Sequence, residues 1–347
     1  MRNTPFLTNL VAVRHTCCAT RPHYVSTLVV IPSTGPPSAG VLMNWPTHRP
    51  LAIAIAALMC VTGCQSAGSA STSSSPAPDG ARQVTYRGDF HAPMGVQLWS
   101  FRDTAKTDPS GMLAMTRRMG ITHVETAGLY GMPIEKFADA LRSAGLRATS
   151  MHAGYDEFKN TPDVVIANAR ALGARYVGLA WYPHTGAFTE ADARRAIADF
   201  NQFGRSMKDA GLTFFYHNHG YEPVPYGNGT LLDLIIRETD PLLVAFEMDV
   251  LWTFHPGVDP AALIRKYPSR FRLMHIKDMK PGVPRGNLSG GLAAELQAAI
   301  GEGQVNWSDV MAAAQKDGLE HYYLEDETPA PITNVPKSIT FLERLKY

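Results

Sequence analysis

Four stretches decide the fold: TFFYHNHGYE at residues 213–222, LVAFEMDVLW at 243–252, FRLMHIKD at 271–278 and HYYLEDE at 321–327. Each begins with a short apolar run and ends in a cluster of polar side chains. Such runs are typical of buried strands, and their spacing leaves room for a helix between consecutive strands. Because parallel strands place their C-terminal ends on one face of a sheet, we expect the polar ends to converge. The repeat therefore predicts both a fold and a site.

The same alternation extends over most of the chain. Strand-like runs are predicted at 95–101, 122–125, 148–152, 176–181, 213–217, 244–248, 271–276 and 322–324. Helical patterns are predicted at 109–119, 133–144, 162–172, 189–210, 231–238, 260–266, 307–316 and 335–345. Eight βα units favour a closed (β/α)₈ TIM barrel over an open doubly wound sheet. The open sheet usually carries a Gly-rich phosphate loop after its first strand, which QLWSFRDT at 97–104 does not resemble.

The segment 279–306, after the seventh strand, is long and rich in Gly and Pro. Long ordered loops in compact domains are often lids over functional sites. We expect this loop on the face where the polar ends converge, with a short helix within residues 291–300.

The first 63 residues have the composition of an export signal. They contain four Arg, no Lys and no acidic residue, and they include an apolar stretch from Leu51 to Val61 that is too short to span a bilayer. The sequence Val-Thr-Gly-Cys at 61–64 resembles the lipobox of bacterial lipoproteins, in which cleavage precedes a Cys that becomes acylated. The alternative is an ordinary secretory signal with an incidental Cys.

We therefore expect a signal region at 1–63, a lipidated Cys64 with a flexible linker at 64–90, and the barrel at 91–347. Gln65, rather than Asp, after the Cys favours a periplasmic lipoprotein anchored in the outer membrane. The lipid is the expected membrane contact.

Met43 opens a segment that is by itself a complete lipoprotein signal, so we expect translation to start there. Peptides from residues 1–42 found in the cell by mass spectrometry would contradict this start.

Charge and cysteine content exclude several classes of protein. The whole chain has 32 Lys plus Arg against 31 Asp plus Glu, and removal of the four Arg in residues 1–63 leaves 28 basic residues against 31 acidic ones. This balance gives nucleic acid no basic surface to bind. The four Cys are at 17, 18, 60 and 64, so the barrel has neither a disulfide nor a thiolate ligand. A metal site there must use His, Asp or Glu.

From about residue 94 onward the chain resembles the sugar phosphate isomerase/epimerase family, the xylose isomerase-like barrels that include hydroxypyruvate isomerase, inosose dehydratase and the endonuclease IV group. Eight segments carry the resemblance in order: GVQLWSFRD, VETAGLYG, MHAGYD, YHNHGYE, FEMDVLW with the following PGVDP, MHIKDM, GEGQVNWSDV and YYLEDE. The resemblance implies a divalent cation at the C-terminal mouth of the barrel, held by carboxylates and a His from the last four strands.

Carried over to this chain, the resemblance gives Asp249, His275 and Glu325 as metal ligands. The strand that supplies a Glu ligand in many members reads FYHNH here, so His217, His219 and Glu222 are alternative candidates for the fourth ligand. The expected cation is Mn²⁺, with Co²⁺, Mg²⁺ or Zn²⁺ as alternatives, because a mixed set of carboxylates and imidazoles suits these ions.

The same strand ends supply candidates for catalysis and substrate binding. The candidate catalytic groups are Glu325, His217, Glu222 and Lys277. The candidate substrate contacts are Glu125, His152, Trp181, Trp252 and Lys277.

Each assignment has a structural alternative. The three ligands carried over are alternatively rim charges paired with Arg or Lys, and the candidates of the fifth strand alternatively make strand-end hydrogen bonds. For Lys277 the alternative is a salt bridge with Asp278. Large aromatic residues such as Trp181 are more often core or wall than sugar platforms.

The expected function is that of a metal-dependent isomerase or epimerase that acts on a non-phosphorylated sugar or keto-sugar through an enediolate. Export argues against phosphosugars, which are mostly intracellular. Elimination from the same enolate makes a lyase or dehydratase acting on 3-keto glycosides or cyclic ketones the first alternative. A non-catalytic carbohydrate-binding lipoprotein is the second.

Overall fold

The computed structural model describes residues 81–347; the predicted signal region, Cys64 and most of the predicted linker lie outside them. The barrel strands, β1 to β8 in chain order, are Met94–Gln97, His123–Ala127, Arg147–His152, Tyr176–Leu179, Thr213–His217, Val244–Asp249, Phe271–Ile276 and His321–Leu324. They close into a parallel barrel in the order β1-β8-β7-β6-β5-β4-β3-β2. The prediction of a (β/α)₈ barrel is confirmed.

Helices surround the barrel. Those found in residues 81–347, α1 to α11 in chain order, are Arg102–Ala105, Pro109–Arg118, Ile134–Ser143, Tyr155–Asn160, Pro162–Leu172, Glu190–Asp209, Leu231–Glu238, Val250–Phe254, Pro260–Lys266, Trp307–Asp317 and Pro331–Leu342. Helix α6 shows how the sequence determines where a helix begins and which of its faces is buried. The Thr189 hydroxyl accepts from the Asp192 amide (3.2 Å) and the Asp192 carboxylate accepts from the Thr189 amide (2.9 Å), which caps the start of the helix. Its apolar stripe, including Phe200 and Met207, is buried.

An apolar layer fills the lower half of the barrel interior. It consists of Tyr176, Phe215, Ala245, Leu273 and Tyr323, one from each of β4 to β8. Gly178 makes room for one of these rings, since a Cβ at that position would lie 2.1 Å from the Phe215 ring. Side chains alternate along a strand, so the residue two positions after each member of this layer also points inward.

Several element boundaries differ from the sequence prediction, and two of them have a clear local cause. The first strand was predicted to reach residue 101 but ends at Gln97, whose side-chain oxygen accepts from the Trp99 amide (3.2 Å) and turns the chain into a 3₁₀ helix, Leu98–Phe101. The last helix begins at Pro331 rather than 335, because proline suits the first turn, where its missing N–H is not needed.

The loop after β7 is partly ordered by its own strand pair. Asp278–Met279 pairs antiparallel with Gln297–Ala298. The short helix expected within residues 291–300 is a single 3₁₀ turn, Ala294–Leu296. The loop therefore leaves β7 and returns to the same rim of the barrel.

Residues 82–90, assigned to the linker from the sequence, lie against the end of α11. The Thr85 and Arg87 amides donate to Glu343 (2.7 and 2.6 Å), and Phe90 is buried. The chain then enters β1 at its N-terminal end. Within residues 81–347, no helix combines the length and the apolar character that a membrane span requires.

Candidate metal centre and active site

Strand alternation places the polar side chains in two layers above the apolar floor. On β6 the inward positions after Ala245 are Glu247 and Asp249, and on β7 those after Leu273 are His275 and then Lys277. We define the lower layer as Glu125, His152, His217, Glu247 and His275, and the upper layer as Asp249, Lys277 and Glu325. All eight side chains come from the C-terminal halves or ends of barrel strands, as the sequence predicted for seven of them.

Three of the predicted ligands meet at the mouth. Ligand atoms of Asp249, His275 and Glu325 all lie within 4.8 Å of one another. His275 Nδ1 is 3.1 Å from Glu325 Oε2 and 3.8 Å from Asp249 Oδ2. The structure thus brings together the three residues that the resemblance gave as ligands.

Asp249 has one satisfied and one free oxygen. Oδ1 accepts from the Trp252 amide (2.8 Å) and caps α8, whereas Oδ2 is buried and has no hydrogen-bond partner within the described part of the chain. A buried carboxylate oxygen without a partner is costly, and native proteins rarely keep one without an ion, a water or a function. Asp249 and Glu325 supply two carboxylates and His217 and His275 two imidazoles, and this donor set fits a divalent cation.

The structure separates the three candidates for the fourth ligand. His217 Nε2 is 3.7 Å from Asp249 Oδ2, so His217 faces the ligand group. His219 lies farther out, where its ring stacks on Trp252 (5.2 Å between centroids) and its Nδ1 is 3.2 Å from the Ala180 carbonyl oxygen.

Glu222 does not reach either layer. Its Oε1 accepts from the Tyr216 hydroxyl (2.5 Å) and from the His219 amide (2.8 Å), and Oε2 is 3.1 Å from the same amide. Gly220, with φ of +85°, turns the chain back and points the Glu222 carboxylate into its own loop. The proposal of Glu222 as a ligand or a catalytic group is therefore replaced by a role in holding the loop after β5.

The lower layer is built around Glu247, which the sequence analysis missed. Three imidazole nitrogens surround its Oε2: His217 Nδ1 at 2.9 Å, His275 Nε2 at 3.1 Å and His152 Nε2 at 3.2 Å. The signal for Glu247 was present, because it precedes Asp249 by two residues on a strand and so must share its inward face. Glu247 stands inside an apolar run, whereas the predicted site residues stand at the polar ends of such runs.

Glu125 and His152 lie in the lower layer rather than on an open substrate surface. Glu125 is fully buried; its Oε1 accepts from Gln97 Nε2 and His275 Nε2 (both 2.6 Å), and its other oxygen accepts from the Ser150 hydroxyl. His152 Nε2 lies between Glu125 (3.0 Å) and Glu247 (3.2 Å). With both oxygens engaged, Glu125 is a support for the histidines, which corrects its expected role as a substrate contact.

Lys277 carries a buried positive charge into the upper layer. Its Nζ is 3.0 Å from Glu325, 3.0 Å from Glu327 and 3.7 Å from Asp249, and it lies 4.9 Å from the centre of the Trp252 ring. The alternative salt bridge with Asp278 does not form, because the Asp278 carboxylate accepts from the Met279 amide and the Trp307 indole instead. Lys277 is thus part of the site.

Burial and neighbouring charges set the protonation of the upper layer. Burial raises the pKa of Asp249 to about 7, although Lys277 and His275 oppose the shift. Burial also opposes ionisation of Glu325, but the Lys277 and His275 charges outweigh it and lower the pKa of that carboxyl. Near neutral pH the layer combines an ionised Glu325 with an Asp249 that is close to its midpoint.

The histidines of the site divide into cations and neutral rings. Burial disfavours the charged form of His152, but Glu125 and Glu247 raise its pKa to about 9. The same type of carboxylate contact raises the pKa of His275 well above its usual range despite burial. Burial, followed by the His275 charge, lowers the pKa of His217 well below its usual range; burial, followed by Lys277, lowers that of His219 to about 3.

A wall of aromatic rings leads from the rim to the upper layer. Trp252 is buried beneath Lys277, His219 stacks on it, and Trp181 follows edge-on to His219 at 5.0 Å with 45% of its surface exposed. Gly290 of the loop after β7 lies against the wall: a Cβ on it would be 2.9 Å from the His219 carbonyl oxygen and from the Tyr221 ring. The predicted lid therefore borders the predicted site.

Comparison with known proteins agrees with the architecture. Among solved structures, a sugar phosphate isomerase/epimerase from Parabacteroides distasonis superposes with a TM-score of 0.60 at 24% identity, over 72% of this chain and 97% of that one. A zinc-binding IolI protein superposes with a TM-score of 0.56 at 12% identity, over 72% of this chain and 95% of that one. At these identities the likenesses concern the fold.

Among curated proteins, an inosose dehydratase of Clostridium tetani is 29% identical over 100 residues, which is 28% of this chain and 32% of the enzyme. The match thus spans about a third of that relative's length. The model of the xylose isomerase-like TIM barrel family matches residues 113–345. Since this match covers more than half of the sequence, the chain belongs to the xylose isomerase-like TIM barrel family.

Proposed function

We propose that this protein is a metal-dependent enzyme that removes the proton next to a carbonyl group of a non-phosphorylated sugar or keto-sugar. The observation that carries the proposal is the free Oδ2 of Asp249, which is buried and unpartnered within residues 81–347. It clusters with His275 and Glu325, and His217 Nε2 lies 3.7 Å from it. The expected outcome of the reaction is isomerisation or epimerisation through an enediolate.

Asp249, His275, Glu325 and His217 are the residues that would hold the cation. Of the three candidates for the fourth ligand, we assign His217, because its Nε2 approaches Asp249 Oδ2. When bound, the cation would polarise a substrate carbonyl and favour the enolate. Two carboxylates and two imidazoles suit Mn²⁺, and Zn²⁺ and Co²⁺ are compatible with the same donors.

Lys277 supplies a second positive charge beside the cation site. Its buried ammonium group is held by Glu325 and Glu327 and lies over Trp252, so its position is fixed before a substrate arrives. A preorganised cation stabilises an oxygen that gains negative charge during proton removal. We therefore assign Lys277 to the developing enolate oxygen.

His219 is the best candidate for the proton acceptor. Its Nδ1 donates to the Ala180 carbonyl (3.2 Å), which leaves the Nε2 lone pair to accept a proton. The ring lies on the aromatic wall, between the exposed Trp181 and the buried Trp252. We choose His219 for this position beside the mouth, because a general base must lie within reach of the carbon acid.

The donor groups of the site argue for a substrate without a phosphate. Neither of the two layers contains an Arg, so they offer a phosphate group no bidentate guanidinium partner. The export predicted from the sequence favours the same choice, because phosphorylated sugars are mostly intracellular.

Solvent exchange tests the proposal. Purified protein is stripped with EDTA, reloaded with Mn²⁺ and incubated in D₂O with a panel of neutral ketoses and keto-glycosides, and deuterium at the carbon next to the carbonyl is followed by NMR. We expect incorporation with Mn²⁺ and none in the stripped protein. If the reloaded protein binds these sugars without exchanging any proton, it is a carbohydrate-binding protein and the proposal fails.

Elimination from the same enolate is the second candidate. The similarity to inosose dehydratases, although it covers about a third of their length, favours it. The two outcomes differ in product. Loss of water or of an aglycone from a labelled substrate identifies a lyase, whereas a product of unchanged mass identifies an isomerase or epimerase.

A further inference from the structure

Each of the two histidines of the proposed cation site faces a different carboxylate with each of its nitrogens. His217 Nε2 points to Asp249 Oδ2 (3.7 Å), while its Nδ1 is 2.9 Å from Glu247 Oε2. His275 is turned the other way. Its Nδ1 points to Glu325 and Asp249 (3.1 and 3.8 Å), while its Nε2 is 2.6 Å from Glu125 Oε1 and 3.1 Å from Glu247 Oε2.

The upper layer therefore requires a lone pair on one nitrogen of each ring, and the lower layer requires a proton on the other nitrogen. A neutral imidazole that binds a cation offers the lone pair of one nitrogen, so the proton must be on the other nitrogen. A carboxylate that accepts this proton fixes the tautomer and the orientation of the ring. In this barrel the lower layer is placed to do so for both histidines.

We propose that Glu247 and Glu125 are positioning residues that hold His217 as the Nδ1–H tautomer and His275 as the Nε2–H tautomer, and so present Nε2 of the first and Nδ1 of the second to the cation. This inference rests on the proposed metal-dependent function. It gives a role to the buried carboxylates of Glu125 and Glu247. It also predicts that the two histidines of one site coordinate through different nitrogens, Nε2 in His217 and Nδ1 in His275.

The lower layer is braced for this role. Glu125 is fixed by Gln97 Nε2 (2.6 Å) and by the Ser150 hydroxyl, and His152 joins the two carboxylates from the side of β3. Glu125 therefore cannot leave His275 without losing its other partners. Glu247 is held through Oε2 alone, by His152, His217 and His275, and its buried Oε1 has no hydrogen-bond partner within residues 81–347. Such support is what holds a ligand within the narrow geometry that a cation requires.

A competing arrangement would use the lower layer itself as a cation site. Ligand atoms of His152, His217, Glu247 and His275 also lie within 4.8 Å of one another. In that case Glu247 Oε2 would bind a cation instead of accepting imidazole protons. The coordinating atoms would then be the lower nitrogens, Nδ1 of His217 and Nε2 of His275, and the chain would hold two cations only if the upper layer were filled as well.

NMR of the metal-loaded protein distinguishes these arrangements. The full chain is labelled with ¹⁵N-histidine and loaded with ¹¹³Cd²⁺, and couplings between cadmium and nitrogen identify the coordinating atoms. We expect one cadmium per chain, coupled to Nε2 of His217 and Nδ1 of His275. Coupling to the opposite nitrogens, or a second cadmium bound in the lower layer, would overturn the proposal.

Substitution tests the positioning role. Glu247→Gln should weaken Cd²⁺ and Mn²⁺ binding by about 10–100-fold and should remove or redistribute the Nε2 coupling of His217. Glu125→Gln should do the same to the Nδ1 coupling of His275. The matched control is Asp278→Asn, a buried carboxylate that binds the Met279, Gln304 and Val305 amides and the Trp307 indole and should leave both couplings unchanged.

The outcomes separate this inference from the proposed function. If Glu247→Gln and Glu125→Gln both bind metal as tightly as the unmodified protein and keep its couplings, the positioning role is excluded, whatever the activity. If the unmodified protein shows the expected couplings but exchanges no substrate proton, the proposed reaction fails and the positioning role stands. Should one variant not fold, the other variant and the couplings of the unmodified protein still decide.

Discussion

At Asp249 the two oxygens of one carboxylate have different surroundings. Oδ1 is committed to the start of α8, and Oδ2 faces His217, His275 and Lys277 without a hydrogen-bond partner in residues 81–347. The hydrogen bond from the Trp252 amide to Oδ1 fixes the position of Oδ2. An ionised Asp249 is thus unfavourable in the metal-free protein and favourable once a cation is present, because burial penalises its charge until a partner compensates it.

Replacing Asp249 by Asn should therefore have opposite effects in the two states. We expect Asp249→Asn to weaken Mn²⁺ binding by about 100-fold or more and to abolish proton exchange, while the metal-free variant melts at a higher temperature than the metal-free parent at pH 8. Calorimetric melting with and without Mn²⁺ measures both. Asp139→Asn, which alters an exposed ion pair with Arg142, is the control and should change neither. A metal-free Asp249→Asn variant that melts lower than its parent would contradict this account.

The raised pKa of Asp249 also affects how the stability of the metal-free protein depends on pH. The folded-state pKa values of Asp249 and Glu247 are both raised to about 7, from ordinary values of 3.8 and 4.5. A raised folded-state pKa means that the stabilisation is complete below the unfolded value and is lost as pH rises through the folded value. His152, raised from 6.5 to about 9, continues this loss above pH 6.5.

We therefore expect the melting temperature of the EDTA-treated protein to fall by about 5–10 °C between pH 6.5 and pH 9, at roughly 2–4 °C per kcal/mol for a chain of this size. Below pH 6.5 the lowered pKa values of His217 and His219, which burial causes, oppose this fall. The rise in melting temperature on adding Mn²⁺ should grow over the same interval, since the cation binds ionised Asp249. Asp249→Asn should show a shallower fall. A stabilisation by Mn²⁺ that is independent of pH would refute the assignment.

At the scale of elements, the site depends on strands that carry the ligands and on loops that close the mouth. The loop after β7 touches the aromatic wall through Gly290, whose φ is +68°. Any side chain at this position would collide with the His219 carbonyl oxygen and the Tyr221 ring. Gly286 of the same loop has φ of +99°, but a Cβ there meets no described atom within 4 Å. Both glycines have a left-handed backbone that would strain any residue with a Cβ, but they differ in their contacts.

That difference makes a matched pair of variants. Gly290→Ala should displace the loop from the wall and lower the kcat/KM of the exchange reaction by about tenfold, since an error of about 1 Å in a positioned site is costly. Gly286→Ala carries a similar penalty for its positive φ and should reduce kcat/KM much less. Steady-state kinetics together with melting temperatures measures both. Equal losses in the two variants would mean that backbone strain, and not contact with the wall, is responsible.

The elements were largely predictable from the sequence because apolar runs and helix boundaries are local signals. All eight barrel strands lie where such runs were found, and α7 and α9 match their predicted bounds. The errors lie where side chains redirect the chain, as at Gln97. The site was predictable only at strand ends. Glu222 was wrongly predicted because the turn at Gly220, which directs its side chain into the loop, cannot be recognised from the sequence pattern. Glu247 was missed because a carboxylate inside an apolar run occupies what looks like a core position.

At the scale of the whole molecule, the two ends of the barrel have different tasks. Residues 82–90 and the end of α11 meet where the chain enters β1, while the polar layers occupy the opposite, C-terminal ends of the strands. The lipid anchor predicted at Cys64 lies outside the described residues.

Removal of the proposed lipid should change location without changing chemistry. We expect Cys64→Ser to shift the protein from the membrane fraction to the soluble fraction of the envelope, with unaltered proton exchange per molecule, because a lipid anchor supplies affinity for the bilayer and the barrel supplies the site. Cell fractionation and mass spectrometry of the N-terminal peptide measure this. Cys64→Ser protein that remains on membranes to the same extent would exclude the lipid as the anchor.

We infer that the mouth of the barrel is a metal centre built around Asp249. Plasma emission spectrometry of the protein, purified without chelators, tests it most directly. We predict about one divalent cation per chain in the unmodified protein and less than about a tenth of that in Asp249→Asn purified in parallel. Protein that retains no divalent cation even after Mn²⁺ is supplied, or equal metal content in the two proteins, would contradict the claim.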